Sequence, residues 1–423
     1  MKFKNIFLTT TVILFLINGY GEDSVKIGFN YPESGSYSRQ GLDQFRAAKM
    51  ATDEINKSGG ILGKQIKLII KDSKSRVAIA ERNALELIIK DDVQMIFGGV
   101  SSGVALGVGK ICQKRGVIFM GTITASNATT CENGHRHTFR VCFNAWMGAK
   151  ALGKYLQTNF PNKKYFYITA NYTWGWSTES SIRKFSNTED DFEHEHVMTP
   201  FPGATKKDIK AAIDLAIEAK PDVLVFCLFG KDIETAAIIA QKKGLNKKMQ
   251  IVAPILELSI AQNAGAKAME GIIGISDWNW TVPYKYNYSV GKKFVKKFSK
   301  KFKRYPGWGA ATAYTVLNQY KSAVERAKSF DSPKVIKALE DHEFTLLKDK
   351  QYWRKFDHQC IQTIYLVRCN SKQKVIDDQF KLNYFEILES FDGEQLAHTF
   401  EEWTLIRKNA GKKTYLEKFP EEK

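Results

Sequence analysis

The sequence predicts an α/β fold of two lobes, each a parallel sheet flanked by helices, with a ligand cleft between them. Three observations carry that expectation. From Val25 to Phe97, short apolar strands alternate with amphipathic stretches, the rhythm of a parallel sheet with helical crossovers. The segments that end these strands, NYPESGSYS, KDSKS and GGVSSG, are small and polar. Ligands gather at the carboxyl ends of strands in such sheets. From Ala145 onward the same rhythm starts again, so the unit is built twice.

The elements follow in order. VKIGFNYP is a strand and ESGSYSRQG a turn. LDQFRAAKMATDEINKSGG has helical spacing and a Gly-Gly stop. KQIKLIIKDSKS, RVAIAERNALELIIKDD and VQMIFGG read as strand, helix and strand. GVALGVGKICQKRG is a helix, VIFMGTITASN a fourth strand, and TFRVCFN a short extended piece. The second series runs from the helix AWMGAKALGKYLQTNF through strand KYFYITAN, loop YTWGWSTES and helix SIRKF. It continues with the helical stretch after TPFPGAT, strand PDVLVFCLFG, helix DIETAAIIAQKKG, strand MQIVAPI and helix ELSIAQNAGAKAM. GIIGISDWNWTVPY, with Trp278 and Trp280, reads as a hinge strand. Its aromatics can face the cleft or simply pack. The long helices that follow bring no new strands and are expected to return to the first lobe.

The expected boundaries are 22–144 and 278–344 for the first lobe, and 145–277 and 345–369 for the second. Residues 370–423 form an extension of unknown role, wrapped on the body or partly disordered. Residues 1–21 read as a signal peptide: Lys2 and Lys4, an apolar run from Ile6 to Ile17, then Gly19 and Gly21 spaced for cleavage. That run is too short for a comfortable membrane span, and the protein is expected in the periplasm. An uncleaved N-terminal anchor is the alternative.

The formal charge is +18, or 18 − 2 = +16 without Lys2 and Lys4. The lysines are scattered over helix faces. The one dense patch, FVKKFSKKFKRY, carries phenylalanines at helical spacing and reads as an amphipathic helix with a solvated face. Such charge argues solubility, not a nucleic-acid partner. Of six cysteines, Cys131 and Cys142 flank a loop able to fold back, a plausible disulfide in an exported protein. Cys360 and Cys369 flank a strand-like segment and would stand about 30 Å apart, beyond bonding reach. Cys112 and Cys227 read as small core residues. No Cys/His spacing suggests zinc, and no metal or cofactor is expected.

The blocks VKIGFNYPESGSYSRQG, AAKMATDEINKSGGILGKQIKLIIKDSKS, FGGVSSGVALGV, FYITANYTWGWST and PDVLVFCLFG together resemble the leucine/isoleucine/valine-binding type of periplasmic solute-binding protein. The resemblance covers nearly everything from Val25 to Cys369. It implies the type I periplasmic-binding fold, a monomer that takes a small-molecule ligand between its lobes, and docking on the membrane permease of an ABC importer. It places Ser102, with Ser101 adjacent, at a polar contact with ligand oxygen. The opening of a helix there suits such an oxygen, although both serines could simply cap the helix. It places Ile123, Thr124 and Ala125 in a second contact segment. Trp174 becomes a lid on the far lobe, with Tyr172 beside it, and Phe229 a further aromatic contact; core packing is the other reading of both.

One departure bears on the ligand. Amino-acid binders of this type carry an acid after the proline that follows the strand MQIVAP, and it holds the ligand's ammonium. Here Pro254 is followed by Ile255, and the nearest acid is Glu257. An amide, a urea-like compound or an organic acid is therefore expected, with a branched-chain or other amino acid as the alternative. Glu257 stays a candidate contact in case it takes the missing acid's place. A rival class is a secreted serine hydrolase, since Gly99-Val100-Ser101-Ser102-Gly103 fits G-x-S-x-G between strand and helix. No histidine ends a clear parallel strand of the first lobe, which argues against a triad.

Overall fold

The computed structural model describes residues 24–418; the expected signal peptide lies outside them. The first lobe is built on a five-stranded sheet in the order β2-β1-β3-β4-β5. Its strands are β1 (Ser24–Tyr31), β2 (Gln65–Asp72), β3 (Met95–Gly98), β4 (Ile118–Gly121) and β5 (Thr138–Arg140). All are parallel. Helices α1 (Ser38–Lys57), α2 (Val77–Ile89) and α3 (Ser102–Arg115) are the crossovers. β3 and β4 are buried along their whole length because helices cover both faces, which is why MIFG and IFMG carry no polar side chain.

The chain enters the second lobe with α4 (Ala145–Asn159). Then come β6 (Tyr165–Ala170), α5 (Thr173–Ser186), β7 (His196–Thr199), α6 (Lys206–Ala219), β8 (Val223–Cys227), α7 (Lys231–Lys242), β9 (Gln250–Ala253), α8 (Leu258–Ala264), α9 (Ala266–Met269) and β10 (Ile273–Ser276). A return follows through α10 (Val282–Lys285), α11 (Ser289–Phe302), α12 (Trp308–Ala327) and α13 (Ser332–Leu339). α12 packs along α1, and Lys297 and Lys301 of α11 pair with Glu54 and Asp53 of α1. α11 buries Phe294, Val295 and Phe298, the apolar face of the lysine-rich segment.

The last third contains β11 (Tyr352–Trp353), β12 (Cys360–Ile361), β13 (Ile364–Cys369), α14 (Lys372–Ile376), β14 (Phe385–Phe391), α15 (Gly393–Leu396) and α16 (Phe400–Asn409). The second sheet runs β14-β13-β10-β9-β8-β6-β7. β6 to β10 are parallel, while β13 and β14 join antiparallel. The tail thus has a structural place. NYFEIL supplies the edge strand, and Trp403 of α16 is fully buried with its Nε1 donating to Thr130 O at 2.9 Å.

Two expectations are corrected. YTWGW is not a loop: α5 starts at Thr173. Its first turn sits directly on the end of β6, where a Cβ on Gly175 would lie 1.9 Å from Ala170 O. Cys131 and Cys142 are both free and buried. Cys142 Sγ accepts from Thr124 N, and Cys131 Sγ faces His398. The Arg140 guanidinium, bonded to Thr124 O, Ser126 O and Thr130 Oγ1, shares their surroundings.

Three segments cross between the lobes: the residues after β5, those after β10, and those between β12 and β13. One side chain ties them. Asp277 Oδ2, on the second crossing, accepts from Phe143 N (3.4 Å) on the first and from Gln362 Nε2 (3.1 Å) on the third. Gln362 Nε2 also donates to Val141 O. Trp278 and Trp280 pack: Trp278 Nε1 donates to Pro306 O, and Trp280 stacks on Tyr305 at 3.7 Å.

Candidate functional site

The strand ends of both lobes meet at a small cavity. From the first lobe come Val100 and Ser102, after β3, and Ile123 and Ala125, after β4. From the second come Tyr172 and Trp174 at the start of α5, Phe229 after β8, and Ile255 after β9. Its free volume is about 10 Å³, room for about one water. The lobes are therefore closed tightly on each other, and a larger guest needs them to part.

The closure is held by specific contacts. Tyr37, at the start of α1, meets Tyr172 hydroxyl to hydroxyl at 3.0 Å and places its ring edge-on to Phe229 at 5.6 Å. Gly230 permits this approach: its φ is +60°, and a Cβ there would fall 2.8 Å from the Tyr37 ring. Ser126 Oγ lies 2.9 Å from Thr173 Oγ1 and 3.0 Å from Ser177 Oγ. Gln40 Nε2 donates to Ser259 Oγ at 2.9 Å, and Arg39 stands 3.5 Å from Glu234. Burial raises the Glu234 carboxyl to about 7, with Arg39 opposing.

The polar groups of the cavity are mostly donors. Ser102 Oγ accepts from Ser126 N at 3.0 Å, which leaves its O–H to donate elsewhere. Ser101, the N-cap of α3, makes no side-chain cap bond, so the first-turn N–H groups of this 14-residue helix are not held by it. Trp174 Nε1 is buried and has no hydrogen-bond partner among the described residues. Tyr172 O–H is engaged by Tyr37, and burial raises both phenols' pKa.

Of the residues the sequence singled out, Ser102, Ile123, Ala125, Tyr172, Trp174 and Phe229 line the cavity together. Thr124 does not. Its Oγ1 is turned toward Gly121, where a Cβ would lie 2.7 Å from it. Ser101 is buried at the N-cap and outside the lining. Glu257 is also outside the lining. Its Oε2 caps α8, accepting from Ser259 N (2.8 Å) and Ile260 N (3.3 Å). Its Oε1 faces the first lobe: a Cβ on Gly307 would lie 2.7 Å from it and 2.6 Å from Asp43 Oδ2. Burial and then the Asp43 charge raise its pKa. Ile255, by contrast, is 4% exposed and lines the cavity.

Sequence reasoning missed Tyr37 and Ser126. An aromatic inside the polar turn ESGSYS was the available signal for the first; nothing marked the second. Four of the seven histidines bond away from Ser101: His137 with Gln113, His194 with Tyr165 N, His196 with Glu179, and His358 with Thr138 O and Glu340. His398 stacks on Trp146 at 4.3 Å.

A parallel sheet in one lobe, a mostly parallel sheet in the other, three crossings and a cavity at facing strand ends define a hinged two-lobe binding fold. Over residues 24–374 the chain matches the family described as periplasmic binding protein, and it belongs to that family. It is 22% identical over 348 residues to the leucine-, isoleucine-, valine-, threonine-, and alanine-binding protein of Pseudomonas aeruginosa, across 81% of this chain and 89% of that one. A periplasmic binding protein from Burkholderia mallei superposes with a TM-score of 0.80 at 23% identity, covering 90% of this chain and 98% of that one. A solute binding protein of an ABC transporter from Rhodopseudomonas palustris, in complex with 3,4-dihydroxybenzoic acid, gives a TM-score of 0.76 at 19% identity, over 88% and 98%. The family match ends before β14, α15 and α16.

Proposed function

We propose that this protein is the extracytoplasmic, non-enzymatic solute-binding component of an ABC importer, and that it captures a small organic acid or amide with a flat or apolar body. The observation that carries this reading is the cavity's chemistry. Ser102 O–H, the N–H groups opening α3, which Ser101 does not cap, and Trp174 Nε1 are all donors, suited to a carboxylate or carbonyl oxygen. The remaining lining from Val100, Ile123, Phe229 and Ile255 is apolar. An ammonium buried here would face Ile255, and an unpaired buried charge costs several kcal/mol.

The mechanism is capture by hinge closure. The three crossings let the lobes part, and ligand contacts with both lobes exist only when they shut. Closure is then favoured by the ligand's affinity difference between the two states. The shut form docks on a membrane permease.

The Pseudomonas aeruginosa relative's name favours a second reading, an amino-acid ligand. Isothermal titration of the mature protein separates the two. We expect saturable binding of benzoate-type or short-chain carboxylates or their amides, and none of leucine, isoleucine or valine. Micromolar binding of a branched-chain amino acid would overturn the ligand class and keep the binding role. Stoichiometric labelling of Ser101 by a fluorophosphonate would overturn the binding role itself.

A further inference from the structure

A second cavity, of about 370 Å³, lies away from the cleft, where the C-terminal edge of the second sheet meets the third crossing. That volume is within the range of small-molecule sites, about 300–1,000 Å³. Part of its wall, Ser390 to Glu394, lies beyond the residues that match the family.

The wall is rich in tyrosine. Tyr286 stacks on Tyr288 at 6.1 Å and on Tyr365 at 5.7 Å. These rings already attract cations from outside the cavity: Lys285 Nζ lies 5.7 Å from the Tyr286 ring and Lys348 Nζ 5.2 Å from that of Tyr365. Both ammoniums are tied to backbone carbonyls, Lys285 to Ile387 O and Lys348 to Asp277 O and Thr363 O. The one lysine in the wall, Lys350, is bonded to Glu343.

Among these rings lies an unmatched acceptor. Asp349 Oδ2 accepts from Thr363 Oγ1, but its Oδ1 is buried with no hydrogen-bond partner among the described residues. Tyr365 lines the same cavity, is 1% exposed, and leaves its hydroxyl equally without a partner. The other two wall acids are engaged, Asp392 with Glu394 N and Glu394 with Tyr352 O–H. A buried carboxylate oxygen and a buried phenol, both unpaired, call for a donor. Tyrosine faces favour that donor being cationic.

We propose that this cavity binds a small organic ammonium ion, its body against Tyr286 and Tyr288 and its N–H groups on the Asp349 carboxylate and the Tyr365 hydroxyl, whose buried oxygens meet the guest once the side chains turn toward it. This site is separate from the cleft, and its ligand is opposite in charge to the carboxylate expected there.

The test is isothermal titration of the mature protein with phenethylammonium and with its uncharged counterpart 2-phenylethanol. We expect one saturable, sub-millimolar site for the amine and binding of the alcohol weaker by about tenfold or more. Asp349→Asn and the half-buried Tyr288→Leu should each weaken the amine severalfold, and Trp174→Leu in the cleft should leave it unchanged. Tyr288→Leu carries the test alone if Asp349→Asn does not fold. Absence of saturable amine binding, equal binding of the alcohol, or loss of binding in Trp174→Leu with none in Tyr288→Leu would each overturn the proposal. None of these outcomes bears on which carboxylate or amino acid the cleft takes.

Discussion

Asp277 is the point where the three crossings are tied, and its charge is badly solvated. Only Oδ2 is bonded, to Phe143 N and Gln362 Nε2; Oδ1 is buried without a partner among the described residues. Lys348 Nζ is close, but it bonds to the backbone carbonyl of Asp277 rather than the carboxylate. Burial therefore raises the carboxyl from 3.8 to about 6, with the Lys348 charge opposing. The difference of about 2 units corresponds to about 3 kcal/mol. The sign follows from which state holds the proton. Between pH 3.8 and about 6 the folded chain keeps a proton that the unfolded chain has lost, so stability falls as pH rises through that window. Below it the group contributes nothing, and above it the penalty is complete. Asp277→Asn keeps an oxygen able to accept both bonds and removes the titration. Urea unfolding of parent and variant should be followed by fluorescence and circular dichroism, with coincident transitions required before free energies are taken. Relative to its standing at pH 4, the variant should gain about 3 kcal/mol over the parent at pH 7.5. Parallel stability–pH curves for the two proteins would refute a charged, buried Asp277 at the hinge.

Three further predictions follow from packing. Trp174→Ala should weaken the cleft ligand about tenfold or more, as loss of roughly 1.5–3 kcal/mol of apolar contact implies; Ser102→Ala should cost about 1 kcal/mol of binding. Both are read by titration calorimetry, and unchanged affinity in both would mean the ligand sits elsewhere. Trp403→Ala should destabilise the protein by about 3–5 kcal/mol, since the indole is fully buried and bonded to Thr130 O; a shift under about 1 kcal/mol in chemical denaturation would show α16 to be loosely attached. Gly175→Ala should abolish soluble expression or cleft binding, because its Cβ would sit 1.9 Å from Ala170 O; a variant as stable as the parent would mean that α5 can shift off β6.

The parallel-sheet rhythm was legible because strands buried on both faces leave runs such as MIFG and VLVFC between helices of amphipathic period. The cleft's aromatics were legible by position, at strand ends. What escaped were features set by contacts distant in sequence. β14 reads only as an aromatic stretch, and nothing local shows that it pairs with β13. Cys131 and Cys142 are free, with their sulfurs against His398 and Thr124 N, which spacing cannot reveal. Thr124 was assigned to the site with its neighbours because a segment was matched whole. The chain bends after β4, and Ile123 and Ala125 stand in the lining while the Thr124 hydroxyl turns back toward Gly121.

Ile255 and Glu257, two residues apart, bear on the proposed ligand class in different ways. Extended backbone alternates, so residues two apart would face alike; here α8 begins at Leu258 and makes Glu257 its cap. Glu257 Oε2 serves Ser259 N, Ile260 N and the Ser259 hydroxyl. Drawing it away to meet an ammonium would forfeit a cap worth about 0.5–2 kcal/mol. Its other oxygen faces Asp43 across the lobe interface and is buried with no hydrogen-bond partner among the described residues; burial first, and then the Asp43 charge, raises its pKa. The position that does line the cavity is Ile255, whose side chain offers only apolar contact. An amino-acid ligand would thus have to bury its ammonium against isoleucine while the glutamate that caps α8 stayed behind the wall. A ligand whose polar end accepts and whose body is apolar meets no such cost.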